Sequence, residues 1–272
     1  MAKGKRVLND KHRNKWKGYA NSPSELDEMF LNLQGNNSRP IIFSIDNTQD
    51  IKEIKAKLLD DTIKYMWCCL GVRDSDHEPV SDIIAPYVKF GNVDENPNDN
   101  SPGFELRSSA SVDVPRPNRF NKSWKAFTRG NHLNPYIEAE LNKQIDNIGS
   151  RIVNSDHANK EINAWLRAQI DICLFKVTAP PGIVQSFQFD TRANLLVNYS
   201  QEEFEKIVES LNAIHFMMGV IEELDPKTQK GWPRFTMILY LEADFPDKNK
   251  SVESYFENVA KPCPPICSEE TN

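Results

Sequence analysis

Apolar residues first return at helical spacing at Leu26, Met29, Phe30 and Leu33, behind Ser22 as a cap, Pro23 at the first helical position and Glu25 completing a capping box; Gly35 closes the run. A β-branched stretch, Ile41 to Ile45, then reads as a buried strand. From Ile51 to Leu70 the apolar positions keep helical spacing, which fits one long helix or a helix to Leu59 followed by a strand from Met66 to Val72. Residues 73–103 hold five Asp, two Glu and four Pro, and read as a long acidic loop or as two loops around a short strand near Tyr87–Phe90.

The clearest alternation follows. Phe104, Leu106, Ala110, Val112 and Val114 fall on one face, with Glu105, Arg107, Ser109, Ser111 and Asp113 on the other, predicting one strand. Asn134 and Pro135 open a helix with the stripe Ile137, Leu141, Ile145 and Ile148, and a second helix after Ser155 turns Ile162, Trp165 and Leu166 inward. Strands are expected at Ile170–Val177 and Ile183–Phe189, around the turn Ala179-Pro180-Pro181-Gly182. Ser200 and Glu203 form a second capping box before Phe204, Ile207, Val208 and Leu211. Residues 214–223 and Phe235–Ala243 then pair as a hairpin, and a short helix near Val252–Val259 precedes a Pro-containing tail.

Helices and antiparallel strands in separate runs predict an α+β fold with a C-terminal hairpin, a flexible basic N-terminal arm and a polar C-terminal tail. The arm covers residues 1–21, a single α+β body covers 22–259, and a tail containing Pro and Cys covers 260–272; the acidic loop 73–103 is where the body could divide. The arm shows no periodic apolar face, so removing residues 1–20 is expected to leave the thermal midpoint nearly unchanged.

Charge adds what hydropathy does not. Residues 1–18 carry seven basic side chains and one acidic one, hence +6, in a chain of net charge −6, so the remainder carries −12. Lys5, Arg6, Lys11, Arg13, Lys15 and Lys17 lie in this segment beside Trp16 and Tyr19. Between Asp113 and Glu138 there is no acidic residue, and Arg116, Arg119, Lys122, Lys125 and Arg129 recur every three or four positions among Phe120, Trp124 and Phe127. Cations beside aromatics suit phosphate neutralisation and base stacking. On an amphipathic helix the same aromatics would serve as core, and the cations could equally meet the acidic 74–99 stretch or a neighbouring subunit. The candidate nucleic-acid-binding residues are Arg116, Arg119, Lys122, Trp124, Lys125 and Arg129 with those of the arm.

Catalytic signals are weak. Ile42-Phe43-Ser44-Ile45-Asp46-Asn47-Thr48 superficially resembles the first motif of haloacid-dehalogenase-type phosphatases, but Ser44 stands where the nucleophilic Asp belongs, so the resemblance implies no activity. Asp46 or Asn47 reads instead as the cap of the helix from Thr48. Asp74, Asp76, His77 and Glu78 gather metal-capable side chains, but a Mg²⁺-dependent nuclease would bring such carboxylates together with a Lys from a neighbouring strand, and nothing in the sequence fixes that geometry. The five histidines are scattered, and none lies near a Ser or Cys nucleophile pattern. Cys263 and Cys267 do not match the adjacent pair Cys68–Cys69 in spacing, so no metal or other cofactor is expected, and with no secretory leader the thiols are expected reduced. No apolar run is long enough to cross a bilayer.

These readings converge on a non-enzymatic, self-associating protein that binds nucleic acid, RNA before DNA, as coat, nucleocapsid or matrix proteins do, in the cytoplasm or within a virus particle. The alternatives are an interaction or regulatory module docking an acidic partner, and a metal-dependent enzyme acting on nucleic acid.

Overall fold

A computed structural model describes residues 10–19, 26, 29, 37–74, 82–92, 103–114, 161–162, 164–166, 168, 172–178, 181–191, 199–224, 231–244 and 261–263. The fold is α+β, with helices set around two antiparallel sheets. One sheet has four strands in the order β12-β11-β1-β7, formed by Gly231–Glu242, Ala213–Leu224, Asn37–Ile45 and Arg107–Val114. The other has five, in the order β13-β10-β2-β5-β6, formed by Lys261–Cys263, Ser186–Asp190, Tyr65–Cys69, Tyr87–Gly91 and Phe104–Glu105. Among the described residues two small hairpins complete the set: β3 (Val72–Asp74) with β4 (Asp82–Ile84), and β8 (Lys176–Thr178) with β9 (Pro181–Ile183).

The sheets share one core. Phe189 of β10 meets Phe216 of β11 and Phe187 meets Phe235 of β12, each pair at 5.6 Å between ring centroids. Cys68 of β2 places its Sγ 3.5 Å from the Met237 Sδ of β12. The expected C-terminal hairpin is β11–β12, paired from Ala213↔Glu242 to Leu224↔Gly231. Both of its faces are buried through the middle, which explains its apolar run from Ile214 to Met218, interrupted only by His215.

Of the two readings of residues 51–70, the helix-then-strand reading holds. Helix α2 (Thr48–Leu58) buries Ile51, Ile54 and Leu58, and β2 follows. Asn47, one of the two proposed caps, accepts from the Asp50 amide at 2.9 Å. The short strand near Tyr87 is β5.

The single strand expected over 104–114 is two. The chain leaves the five-stranded sheet after β6, turns at the buried Leu106, and enters the four-stranded sheet as β7. Ser108 occupies the position where a continuous alternation requires an apolar side chain, and that lapse marks the crossing. Residues 172–175, expected as strand, form a 3₁₀ turn before the short β8.

Helix α3 (Gln201–Glu209) bears out the second capping box. The Glu203 amide donates to Ser200 Oγ at 3.3 Å, and the Ser200 amide donates to Glu203 Oε2 at 2.8 Å. Phe204, Ile207, Val208 and Leu211 are buried beneath it, as the spacing predicts. Replacing Ser200 with alanine removes the two bonds made by its hydroxyl, which accepts from the Glu203 amide and donates to Glu203 Oε2 at 3.0 Å, and a stability loss of about 1 kcal/mol is expected in urea denaturation.

Both chain ends depart from expectation. Residues 10–18, assigned to a flexible arm, form helix α1 (Asp10–Gly18), with Trp16 at 0% and Tyr19 at 8% exposure. In the tail, Lys261–Cys263 pairs with β10 and supplies an edge strand that satisfies backbone groups otherwise left open. Ser22 and the helices expected at 134–148 and 252–259 lie outside the described residues.

Candidate functional site

Helix α1 carries four of the predicted polyanion ligands: Lys11, Arg13, Lys15 and Lys17. Its composition is unhelpful to an isolated helix, and tertiary contacts hold it. The Trp16 indole N–H donates to the Val184 carbonyl at 2.7 Å, and the ring packs edge-on against Phe175 at 5.1 Å. Near Gly71 the approach is close, since a Cβ there would stand 2.8 Å from the Ala85 carbonyl oxygen and 3.3 Å from His12 Cβ. Burial divides the cations. Lys11 is exposed and Lys15 and Lys17 are half-buried, whereas Arg13 is 2% exposed and faces the body. Arg13 therefore belongs to the packing of α1 and is removed from the set that could meet a polyanion.

Lys5, Arg6, Arg116, Arg119, Lys122, Trp124, Lys125 and Arg129 lie outside the described residues. So do Asp76, His77 and Glu78, while Asp74 ends β3. Among the described residues no three His, Cys, Asp or Glu side chains converge as a metal site would require. Cys68 and Cys69 are buried and form no disulfide, and burial, reinforced by the adjacent Cys69, pushes the Cys68 thiol well above its ordinary value. Among the described residues no helix is long and apolar enough to cross a membrane.

The structure brings together three residues the sequence leaves apart. Ser44 of β1 and His215 of β11 are direct cross-strand partners, with Ser44 Oγ 2.7 Å from His215 Nδ1. His215 Nε2 lies 3.0 Å from Glu242 Oε2 on β12. A carboxylate only accepts, so Nε2 carries the ring proton, and Nδ1 accepts from the Ser44 hydroxyl. Tyr240 stacks on the imidazole at 5.8 Å. Burial pushes His215 below its ordinary pKa, against the hydrogen bond and charge of Glu242 and the charge of Asp46.

The order carboxylate, imidazole, hydroxyl is that of a nucleophilic triad, but the burial runs the wrong way. The Glu242 side chain is 45% exposed, His215 is 6% exposed, and Ser44 is 4% exposed. A nucleophile must meet substrate, whereas this relay presents its carboxylate to solvent and its hydroxyl to the interior. The trio ties three strands together. Its sequence signal was slight: single polar residues within the apolar runs IIFSI and AIHFMM, separated by 171 positions. Comparison with protein-family models, curated proteins and solved structures returns no match for this chain.

Proposed function

We propose that this is a non-enzymatic protein that binds nucleic acid, RNA before DNA, and assembles with copies of itself, as proteins that coat or package a genome do, in the cytoplasm or within a particle. The observation that carries the reading is the attitude of α1. Trp16 is anchored in the body while Lys11 and the half-buried Lys15, one helical turn apart, lie on the outer side. A fixed helix holds its cations at set spacing, so less conformational entropy is lost on meeting phosphates than with a free arm. The acid-free run from 114 to 137, with its five cations, supplies the second basic segment. Self-association follows from the same charge map. An acidic body repels its copies until a polyanion neutralises the basic segments.

Salt titration of single-stranded RNA binding tests the proposal. Each of Lys11→Ala, Lys15→Ala and Lys17→Ala is expected to reduce the log-log slope by about 0.7 per lost phosphate contact, and Arg119→Ala, Lys122→Ala and Lys125→Ala likewise. Unchanged slopes in all six variants would remove nucleic acid from the proposal. Equal salt-dependent retention on an acidic polypeptide would favour the interaction module, and cleavage of the RNA in Mg²⁺ or Mn²⁺ would favour the enzyme. Light scattering with and without RNA reads the assembly step.

A further inference from the structure

One rung of the four-stranded sheet places Arg107 of β7, Ser44 of β1, His215 of β11 and Tyr240 of β12 side by side. Two helices are fastened at this same end. Asn47, three residues after Ser44, caps α2. Beyond α3, the Asn212 amide donates to the Glu242 carbonyl at 2.7 Å, and the Asp244 amide donates to Ser210 Oγ at 2.9 Å. A change at His215 thus reaches three strands and the attachment of two helices.

We propose that Ser44, His215 and Glu242 form a proton-operated latch: neutral His215 ties β1, β11 and β12 together, and acidification releases this end of the sheet. In the neutral state every role is complementary, with Nε2–H donating to Glu242 and Nδ1 accepting from Ser44. A second proton must sit on Nδ1. That nitrogen then ceases to accept, and the Ser44 hydroxyl must redirect its hydrogen at a position only 4% exposed.

The groups facing the ring are Ser44 and Asp46 from β1 and its end, and Tyr240 and Glu242 from β12; Arg107 lies one strand further, opposite Ser44. The two carboxylates favour the imidazolium and burial opposes it, with burial the larger effect. Once the sheet end opens, the imidazole is solvated and takes up a proton near its ordinary value of about 6.5. Between that pH and the lower value of the closed state, the open form binds more protons. The closed form is therefore fully favoured above about pH 6.5 and loses ground as pH falls, by up to about tenfold in the opening constant per pH unit.

The test is hydrogen exchange of the full chain, with opening constants corrected for the chemical exchange rate, beside an NMR titration of His215. Amides 213–217 and 240–242 are expected to open up to about tenfold more at pH 5.5 than at pH 6.5, while those of β2 and β5 change little. His215→Gln should abolish the rise. Glu242→Gln, which removes a carboxylate favouring the imidazolium, should carry the rise to lower pH. If His215 titrates in the native protein at its ordinary value, or if His215→Gln keeps the parent's pH profile, the latch is overturned. Should His215→Gln fail to fold, the native titration alone decides.

Discussion

Replacing Trp16 with alanine is expected to lower the free energy of unfolding by about 3–5 kcal/mol. The indole is 0% exposed, packs edge-on against Phe175, and satisfies the buried Val184 carbonyl. Truncation forfeits the transfer energy of the ring, leaves a cavity between α1 and the body, and strands that acceptor. Trp16→Phe separates these contributions, since it keeps most of the apolar volume but not the N–H; a loss of about 1–3 kcal/mol is expected. Deleting residues 1–20 should cost as much as Trp16→Ala, the reverse of what a mobile arm implies. Lys11→Ala, by contrast, should leave stability within about 0.5 kcal/mol, because its side chain is exposed. Denaturant unfolding reads all four variants. A loss below about 1 kcal/mol for Trp16→Ala would mean that α1 does not pack as described.

Phe235→Ala is expected to cost a further large increment, about 3–5 kcal/mol. This ring, 0% exposed, touches Trp165 at 5.4 Å, Phe175 at 5.1 Å and Phe187 at 5.6 Å. It stands where the helical residues around Trp165, the 3₁₀ turn and β10 meet β12. Trp165 is itself fixed by an indole N–H to the Pro40 carbonyl at 2.8 Å. A double-mutant cycle between Phe187→Ala and Phe235→Ala should show coupling of about 0.5–1.5 kcal/mol across the two sheets. Strict additivity in equilibrium unfolding would contradict a shared core.

Local elements were legible where one physical signal dominated. The Ser200–Glu203 box, the stripe beneath α3 and the β11–β12 hairpin all followed from residues close together in the chain. The split of residues 104–114 was partly legible, since Ser108 breaks the alternation; which sheet each half joins was not, because β5 and β1 decide it. Helix α1 was hidden for a different reason. Its inward stripe is Arg13, Trp16 and Tyr19, and a buried arginine disguises an amphipathic face as a basic arm. The Ser44–His215–Glu242 trio was hidden because it depends on β1, β11 and β12 being neighbours, which no local pattern records. The segment from Arg116 to Arg129 was legible as charge and aromatic spacing alone.

The pairing of β1 with β11 also sets an order of events during synthesis. Ser44 meets a residue 171 positions later, and the Trp16 indole waits for a carbonyl 168 positions later. At about 5–20 residues per second, the first strand and first helix emerge some 10–30 s before their partners exist. Through that interval β1 lacks the strand that later covers one of its edges, and Ile41, Ile42 and Phe43 lie uncovered. Sequence-distant contacts of this kind slow folding, because loop closure must come before any contact rewards it. The nascent N-terminal third is thus the stage of this protein's life most open to chaperones and to mispairing with a neighbouring chain.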